Sequence, residues 1–321
     1  MKLQTQIPLQ KQSNNLIDYN SNILLLGSCF VENMGDKLSY FKFRNLQNPF
    51  GILFQPKAIE SLILNAIELK EYSEKDIFFF NEQWHCFEAH SKLSSPSKVE
   101  LLQNLNQQVK STNQQIQQSS HVIITLGTAW AYRFIESKSL VGNCHKVPQK
   151  QFSKELLSVE EIAASLQNIV SLIQNVNSKV SIIFTVSPVR HIKDGFVENT
   201  RSKSHLIAAI HQFLNQKTLS ADQQSFYFPS YEIVMDELRD YRFFAEDMVH
   251  PNQLAVNYIW EKFQEVWIAA DAIKTMLLVE EVQKGLQHKP FNPNSEAHKK
   301  FTQNLQHKIM QLQAYFPHIV F

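Results

Sequence analysis

The chain contains little cysteine, no excess of charge of either sign and no long hydrophobic run, and each absence excludes a class of protein. Three cysteines in 321 residues, with no CxxC pair, do not form a disulfide framework and favour a reducing compartment. Lys and Arg number 31 against 30 Asp and Glu, which argues against binding nucleic acid or anionic membranes through bulk charge. No run approaches the ~20 apolar residues of a membrane span.

The N-terminal residues Met1–Pro8 contain no apolar segment of the kind found in signal peptides. We therefore expect a cytoplasmic protein. The string Leu26-Gly27-Ser28-Cys29 superficially resembles a lipoprotein cleavage site, but only Ile23–Leu26 is continuously apolar before it. Lipidation is accordingly not expected.

Short apolar runs that alternate with segments of helical period are what the sequence does contain. Buried strands are predicted at Ile23–Leu26, His121–Gly127 and Val180–Val186, with a shorter one at Phe226–Phe228. Helices are predicted at Phe30–Leu38, Lys57–Lys70, Val99–Gln118, Val159–Val176, Glu198–Gln216 and Pro251–Ala270. This alternation predicts an α/β fold whose parallel sheet is covered by helices on both faces. Pro251 suits the first turn of its helix.

The character of the chain changes after the last of these helices. Helical spacing continues over Thr275–Gln287, two prolines follow within His288–Ser295, and an amphipathic helix is predicted at Glu296–Tyr315. We therefore divide the chain into a main domain, residues 1–270, and a C-terminal helical extension, residues 271–321.

Three predicted strands end in small polar turns, namely Gly27-Ser28, Gly127-Thr128 and Ser187-Pro188. The carboxyl ends of parallel strands meet at one edge of a sheet, and reactive residues collect there. Taken alone, Ser28 has an ordinary interpretation as the N-cap of the helix that follows it.

Asp247 and His250 supply the two other residue types that acyl transfer by a serine requires. That chemistry needs a hydroxyl, an imidazole that takes its proton and a carboxylate that holds the imidazole in one tautomer. Asp247 lies three residues before His250, so its carboxylate can reach one ring nitrogen. Ser28, His250 and Asp247 are therefore the candidate catalytic residues. Cys29 is the alternative nucleophile, because the pKa of a thiol can fall at a helix N-terminus.

Gly27-Ser28-Cys29-Phe30 resembles the signature of the GSCFA-domain proteins, a branch similar to the SGNH (GDSL-like) hydrolases. The likeness spans roughly residues 23–267. Further matching strings, in order, are Asn48-Pro49-Phe50-Gly51, Leu126-Gly127-Thr128-Ala129-Trp130, Asn143-Cys144-His145-Lys146, Ser187-Pro188-Val189-Arg190-His191 and Asp247-Met248-Val249-His250-Pro251. The resemblance implies a three-layer α/β/α flavodoxin-like fold with inserted segments and an enzyme that acts on esters.

Roles for individual residues follow from the same resemblance. Ser28 would be the nucleophile, His250 the general base and Asp247 the acid that orients it. The backbone N–H groups of Ser28 and Gly51 would form the oxyanion hole. Such donors matter because removing one typically lowers the rate by ~10²–10³.

One position departs from the SGNH pattern, which has an asparagine two residues after its third-block glycine. Here Gly127 is followed by Thr128 and Ala129. The Thr128 hydroxyl or the side chain of Asn143 could replace the missing oxyanion donor. An amide N–H₂ is the chemical equivalent of the missing group, which favours Asn143, although Asn143 could equally cap a turn after Gly142.

Four further residues are candidate substrate-binding residues: Arg190, His191, His145 and Trp130. Arg190 and His191 follow a predicted strand end, where they could bind a carboxylate or sugar hydroxyl of a substrate. An ion pair that holds the loop is the equal alternative, and the same pair of interpretations applies to His145.

No cofactor is predicted, and no metal site. His85, Cys86 and His90 have a loose metal-ligand spacing, but no second group of thiols or carboxylates follows to complete a coordination shell.

The sequence thus predicts a serine esterase or acyl hydrolase for small O-acylated substrates, with O-acyl transfer to an acceptor alcohol left open. The expectation that the substrate is carbohydrate-like rests on fold-level analogy. The rival prediction, motivated by the missing asparagine, is a catalytically degenerate binding protein for glycans or acylated ligands. No nucleic-acid partner is expected, and the oligomeric state is not predicted.

Overall fold

The computed structural model contains ten strands and nine α-helices within the residues it describes, 5–217 and 224–321. The strands are β1 Asn22–Gly27, β2 Arg44–Gln47, β3 Phe78–Phe80, β4 Gln83–His85, β5 His121–Leu126, β6 Trp130–Phe134, β7 Leu140–Val141, β8 Phe152–Leu156, β9 Ser181–Val186 and β10 Ser225–Tyr227. The helices are α1 Cys29–Tyr40, α2 Pro56–Ile67, α3 Lys98–Gln118, α4 Val159–Val176, α5 Phe196–Lys217, α6 Ser230–Glu232, α7 Gln253–Trp267, α8 Ala270–Gln287 and α9 Glu296–Tyr315. None of the helices in this part of the chain is both long and apolar enough to cross a membrane.

Five strands form one parallel sheet in the order β2-β1-β5-β9-β10. Numbered along the chain, these strands follow the order 2-1-3-4-5, which is the flavodoxin-like arrangement. The antiparallel pair β3-β4 and the antiparallel sheet β7-β6-β8 are inserted between the strands of the main sheet. The predicted fold class is confirmed.

The main sheet is covered on both faces because its central strands are apolar throughout. All six residues of β5 and all six of β9 are buried. In β1 the side chains alternate: Leu24 and Leu26 join a core with α2, α3, α4 and α5, whereas Ile23 and Leu25 join a second core with α1, α7 and α8. Three layers result, with the sheet in the middle.

One strand was missed, and one helix was predicted with the wrong bounds. The strand β2 was not predicted, because its sequence, Arg44-Asn45-Leu46-Gln47, is that of a polar edge strand with one apolar residue. The helix predicted at Pro251–Ala270 begins later, since Asn252 is the N-cap and accepts a hydrogen bond from the Ala255 N–H at 3.1 Å. Pro251 lies before the cap and pairs with Phe244 in an isolated bridge.

The C-terminal helices pack against the same core as the N-terminal segment. Leu312 and Ile319 are buried within the cluster that contains Ile17 and Tyr19. The rings of Tyr19 and Phe316 lie 4.9 Å apart between centroids. Residues on both sides of the predicted boundary near residue 270 therefore share one hydrophobic core. The division into two domains stays a prediction.

Candidate active site

Ser28 lies at the carboxyl edge of the sheet, between the end of β1 and the start of α1. It is the N-cap of α1, its Oγ accepts a hydrogen bond from the Phe30 N–H at 3.3 Å, and the residue is only 2% exposed. Gly27 precedes it with φ +133°, and a Cβ there would lie 2.1 Å from the carbonyl oxygen of Thr125. Only glycine fits this turn, so the strand end fixes the position of the serine.

Asn48 fastens the Ser28 turn to the loop that follows β2. Its Oδ1 accepts the Gly27 N–H at 2.9 Å in a buried hydrogen bond, and its Nδ2 donates to Glu32 Oε1 at 3.4 Å. Sequence analysis named Asn48 only within the matching string Asn48-Pro49-Phe50-Gly51 and missed this contact, because residue spacing does not reveal which backbone group a side chain will bind.

Asp247 and His250 form a close pair in a tight turn before α7. Asp247 Oδ2 lies 2.6 Å from His250 Nδ1, and its Oδ1 accepts the Val249 and His250 N–H groups at 2.9 and 3.0 Å. These contacts lower the pKa of Asp247 to about 2, first through the His250 N–H, then the Val249 N–H and then the imidazole. An ionised carboxylate facing Nδ1 holds a neutral imidazole with its proton on Nδ1 and its Nε2 lone pair free.

Ser28 and His250 are not joined by a hydrogen bond, and Nε2 of His250 has no hydrogen-bond partner among the residues that the structure describes. Both side chains of the Asp247–His250 pair are about half exposed. The titratable groups between the two segments influence one another, since Lys203 and His250 both act electrostatically on His191, and Lys203 and Cys29 act on each other.

Both predicted backbone oxyanion donors are already used within the protein. The Ser28 N–H donates to the Thr125 carbonyl at 3.0 Å, and the Gly51 N–H donates to the Asn48 carbonyl at 2.7 Å. Gly51 has φ +72°, and a Cβ there would lie 2.5 Å from Cβ of His90. In this conformation neither N–H is free for a substrate oxygen.

The two candidate side-chain donors differ in availability. Asn143 Oδ1 accepts the His145 N–H at 2.8 Å and the Ser91 hydroxyl at 3.3 Å, which leaves Nδ2 without an acceptor among the described residues. The Thr128 hydroxyl is buried, bonded to Ser202 Oγ at 3.0 Å, and accepts the Trp130 N–H at 3.1 Å. Asn143 is thus the donor with a free N–H.

Arg190 and His191 both lie just past the end of β9. The Arg190 guanidinium stacks over the Phe244 ring at 5.2 Å and approaches Met235 Sδ at 3.5 Å, with no carboxylate within ion-pair distance in the described part of the chain. The His191 ring stacks on Phe54 with centroids 5.0 Å apart, and its buried Nε2 has no hydrogen-bond partner among the described residues. Burial, with help from the charge of Lys203, lowers the pKa of His191 to about 4, so the ring is neutral.

The side chains of His145 and Trp130 form hydrogen bonds within the protein. His145 is buried, with Nε2 2.7 Å from the Cys86 carbonyl oxygen and Nδ1 3.1 Å from Ser91 Oγ, and burial lowers its pKa to about 4. Its loop-holding interpretation therefore fits better than substrate binding. Trp130 donates to the Glu198 carbonyl at 3.3 Å, and Lys154 Nζ covers its ring at 4.4 Å.

Cys29 and His85 illustrate two alternatives that the geometry disfavours. Burial raises the pKa of the Cys29 thiol above its usual range, which outweighs the opposing charge of Lys203 and the helix N–H groups. The Cys29 thiol is therefore a poor source of thiolate. His85 uses both ring nitrogens within the protein, with Nδ1 2.6 Å from Ser94 Oγ and Nε2 3.0 Å from the Phe80 carbonyl oxygen.

A buried lysine that sequence analysis missed lies at the same sheet edge. Lys203 of α5 is 1% exposed, and its Nζ donates to the carbonyl oxygens of Gly127 at 2.6 Å and Ser187 at 2.7 Å. The preceding Ser202 accepts the Ala129 N–H at 2.7 Å. Within the sequence these residues belong to an ordinary polar helical stretch, so no pattern distinguishes them.

Comparison with known proteins gives a family match over most of the chain. Residues 22–263 match the GSCFA family, and residues 279–321 match the C-terminal domain of GSCFA domain proteins. No curated protein matches the chain. Two solved structures resemble it at 10% identity and a TM-score of 0.37. One is a mutant acetyl esterase crystallised with acetate (82% of this chain, 99% of that one), and the other a carbohydrate esterase family 3 protein from Talaromyces cellulolyticus (81% and 99%).

Proposed function

We propose that this chain, which belongs to the GSCFA family, is a serine esterase that hydrolyses small O-acylated, carbohydrate-like substrates. Ser28 is the nucleophile, His250 the general base and Asp247 the acid that orients it. Transfer of the acyl group to an acceptor alcohol in place of water belongs to the same proposal, because the chemistry up to the acyl-enzyme is shared.

The observation that carries the proposal is the Asp247–His250 pair. The carboxylate is fixed by two backbone N–H groups and lies 2.6 Å from Nδ1. The pair leaves Nε2 as a free acceptor, which is the state that a general base needs before it removes a proton from a hydroxyl.

In the proposed reaction, Nε2 of His250 takes the Ser28 proton as Oγ attacks the acyl carbonyl. The tetrahedral oxyanion is stabilised by Nδ2 of Asn143. The N–H groups of Ser28 and Gly51 join it once their bonds to the Thr125 and Asn48 carbonyls open. His250 then protonates the leaving alcohol. In the second half, His250 takes a proton from water as the water attacks the acyl-enzyme, the bond from Ser28 Oγ to the acyl group breaks, and His250 returns the proton to Oγ as the carboxylic acid leaves.

This proposal requires Ser28 and His250 to approach each other when substrate binds. Catalytic hydrogen bonds are often long in unliganded enzymes and tighten in the complex. The turn that carries His250 is exposed and includes Met248 at φ +57°, a conformation that costs energy for a non-glycine residue. This exposed turn is therefore the element expected to adjust.

Arg190 is the proposed contact for a polar or anionic group of the substrate. It lines a cavity of about 290 Å³ together with Arg239 and Phe244. Phe244 pairs with Pro251, directly after His250, so one wall of this cavity is connected to the segment that carries the candidate base. His191 and Trp130 are the other proposed substrate contacts.

A binding protein without turnover is the second candidate, and two observations favour it. Ser28 is 2% exposed, and the N–H groups of Ser28 and Gly51 are both occupied. A site that keeps its pocket but holds these donors shut would bind an acylated ligand without stabilising an oxyanion.

Labelling with a fluorophosphonate distinguishes the two candidates. The esterase predicts an adduct on Ser28, found by intact mass and peptide mapping, that Ser28→Ala abolishes and Cys29→Ser leaves in place. The esterase proposal also predicts that the wild type and the Cys29→Ser variant hydrolyse short p-nitrophenyl esters, whereas the Ser28→Ala variant does not. Labelling at Cys29, or no labelling of the folded wild type, would contradict the serine mechanism.

A further inference from the structure

A buried cation without a carboxylate partner lies at the sheet edge that carries the candidate site. Lys203 is 1% exposed and forms no ion pair among the described residues. Burying an unpaired charge is unfavourable, so native proteins rarely do so without a reason. The α5 helix could bury an apolar side chain here at lower cost.

The two hydrogen bonds of Lys203 explain where the ammonium is held. Gly127 follows β5 and Ser187 follows the neighbouring strand β9, and both direct their carbonyl oxygens to Nζ. Strand ends leave such carbonyls without ladder partners. The ammonium thus fastens the ends of two adjacent strands to one helix, while the third N–H has no acceptor among the described residues.

Ser202 and Lys203 together position the residues that follow β5. Ser202 binds the Ala129 N–H and the Thr128 hydroxyl, and Lys203 binds the Gly127 carbonyl. This loop offers no side-chain amide, because Ala129 occupies the position where the resemblance to SGNH hydrolases implies an asparagine. A positive charge beside it supplies, at longer range, part of what the missing donor would provide.

We propose that Lys203 is the positioning residue of the candidate site, joining the ends of β5 and β9 and keeping positive charge beside the Ser28 turn. The site works only while the ammonium holds its proton. This inference rests on the proposed esterase function.

Lys203 gains or loses its proton within a pH range in which the enzyme can be assayed. Burial lowers its pKa to about 7, and the only opposing influence among the described residues is the negative charge that Cys29 would carry as a thiolate. The titratable groups that face it are Cys29 from α1 and the neutral His191 from the loop after β9. Loss of the third proton above neutral pH would remove the positive charge from the site, while the neutral amine keeps two N–H groups for the carbonyls of Gly127 and Ser187.

The pH dependence of kcat tests the proposal. We expect wild-type kcat to fall above about pH 7. Lys203→Arg should keep partial activity and lose this alkaline fall, because a guanidinium stays charged throughout. Lys203→Met should lower kcat about tenfold or more, less than the ~10²–10³ lost with a direct donor, and should also show no alkaline fall. The matched control is Arg201→Met, an exposed cation on the same helix, which should keep the wild-type profile.

Thermal unfolding separates failure of this inference from failure of the esterase proposal. The pKa of folded Lys203 lies below its ordinary value in the unfolded chain, so between these two values the unfolded chain binds more protons and stability rises with pH. Relative to Lys203→Met, the wild-type Tm should rise from pH 7 to 10 and change little from pH 5 to 6. A constant Tm difference, or an alkaline fall retained in both variants, would overturn the inference. Absence of labelling at Ser28 together with the rising Tm difference would instead refute the esterase and, with it, the role of Lys203 in turnover.

Discussion

At the scale of single residues, the candidate site is defined by which hydrogen-bond donors and acceptors are still available. His250 Nε2 and Asn143 Nδ2 are free of protein partners among the described residues, whereas the N–H groups of Ser28 and Gly51 are not. As far as the structure describes the chain, the first pair has no protein hydrogen bond to break before it meets a substrate, although His250 must still approach Ser28. The second pair can act only after a backbone rearrangement.

Replacing Asp247 tests the orienting role of its carboxylate. Asp247→Asn should lower kcat by about 10²–10⁴, because the amide favours the wrong imidazole tautomer, while KM stays near the wild-type value. Steady-state kinetics on a short acyl ester measures both. Asp240→Asn, which removes another exposed carboxylate, is the control, and equal losses in the two variants would refute the orienting role.

The pH profile provides a second test of the same pair. Asp247 stays ionised down to about pH 2 because its pKa is lowered by backbone and imidazole donors. If His250 is the base, the acidic fall in kcat/KM should come from protonation of its imidazole and not of Asp247. We expect a fall of one log unit per pH unit, absent in His250→Ala. A value of kcat/KM that does not change between pH 5 and 7 would exclude histidine as the base.

Asn143 and Thr128 can be separated as oxyanion donors. Asn143→Ala should lower kcat by ~10²–10³ with little change in KM. Thr128→Val should act mainly on stability, because the Thr128 hydroxyl binds Ser202 and the Trp130 N–H. Kinetics together with thermal unfolding of both variants decides the matter, and a selective kcat loss in Thr128→Val would reverse the assignment.

How much of this site follows from sequence depends on the kind of contact. The Asp247–His250 spacing predicts the pair because the contact is local. The occupied N–H of Ser28 depends on the register between β1 and β5, and the role of Lys203 depends on how α5 lies across two strand ends. Neither relation can be derived from the spacing of residues along the chain.

At the scale of elements, the turn after β1 and the loop after β2 behave as one unit. Asn48 connects them by accepting the Gly27 N–H in a buried position. Apolar strands such as β5 and β9 were predictable from composition, because both of their faces are buried. The edge strand β2 was not predictable in this way, because it contains only one apolar residue. The position of the break between α7 and α8 was not predictable either, because neither Ile268 nor Ala269 is a helix-breaking residue.

Asn48→Ala should weaken both the fold and the site. The Gly27 N–H would lose its acceptor in a buried position, which costs about 1–3 kcal/mol of the free energy of unfolding. Esterase activity should fall with it, since the position of Ser28 relaxes. Denaturant unfolding and kinetics measure the two effects. Asn33→Ala on α1 is the matched control, and equal stability of the two variants would show that Asn48 does not hold this turn.

At the scale of the whole molecule, the C-terminal extension and the N-terminal segment share one hydrophobic core. Ile319 and Ile17 are fully buried in the same cluster. A family match that ends at residue 263 and another that begins at residue 279 therefore need not correspond to two independently stable parts.

Ile319→Ala should destabilise the entire chain by about 2–5 kcal/mol, as expected for a buried isoleucine. Circular dichroism and tryptophan fluorescence should report one coincident transition that shifts to lower temperature. The exposed neighbour Val320 serves as the control through Val320→Ala. Early melting of the C-terminal helices alone, with the tryptophan signal unchanged, would support the two-domain division instead.

The shared core also sets a condition on biosynthesis. Tyr19 leaves the ribosome long before Phe316, whose ring packs against it, and before Leu312, which joins the same core in the finished protein. At about 5–20 residues per second, the interval from residue 19 to residue 319 takes roughly 15–60 s. For that time the nascent chain exposes an apolar surface that its own later residues must cover. Production of this protein should accordingly depend on chaperones that shield the growing chain, and more strongly when translation is slowed.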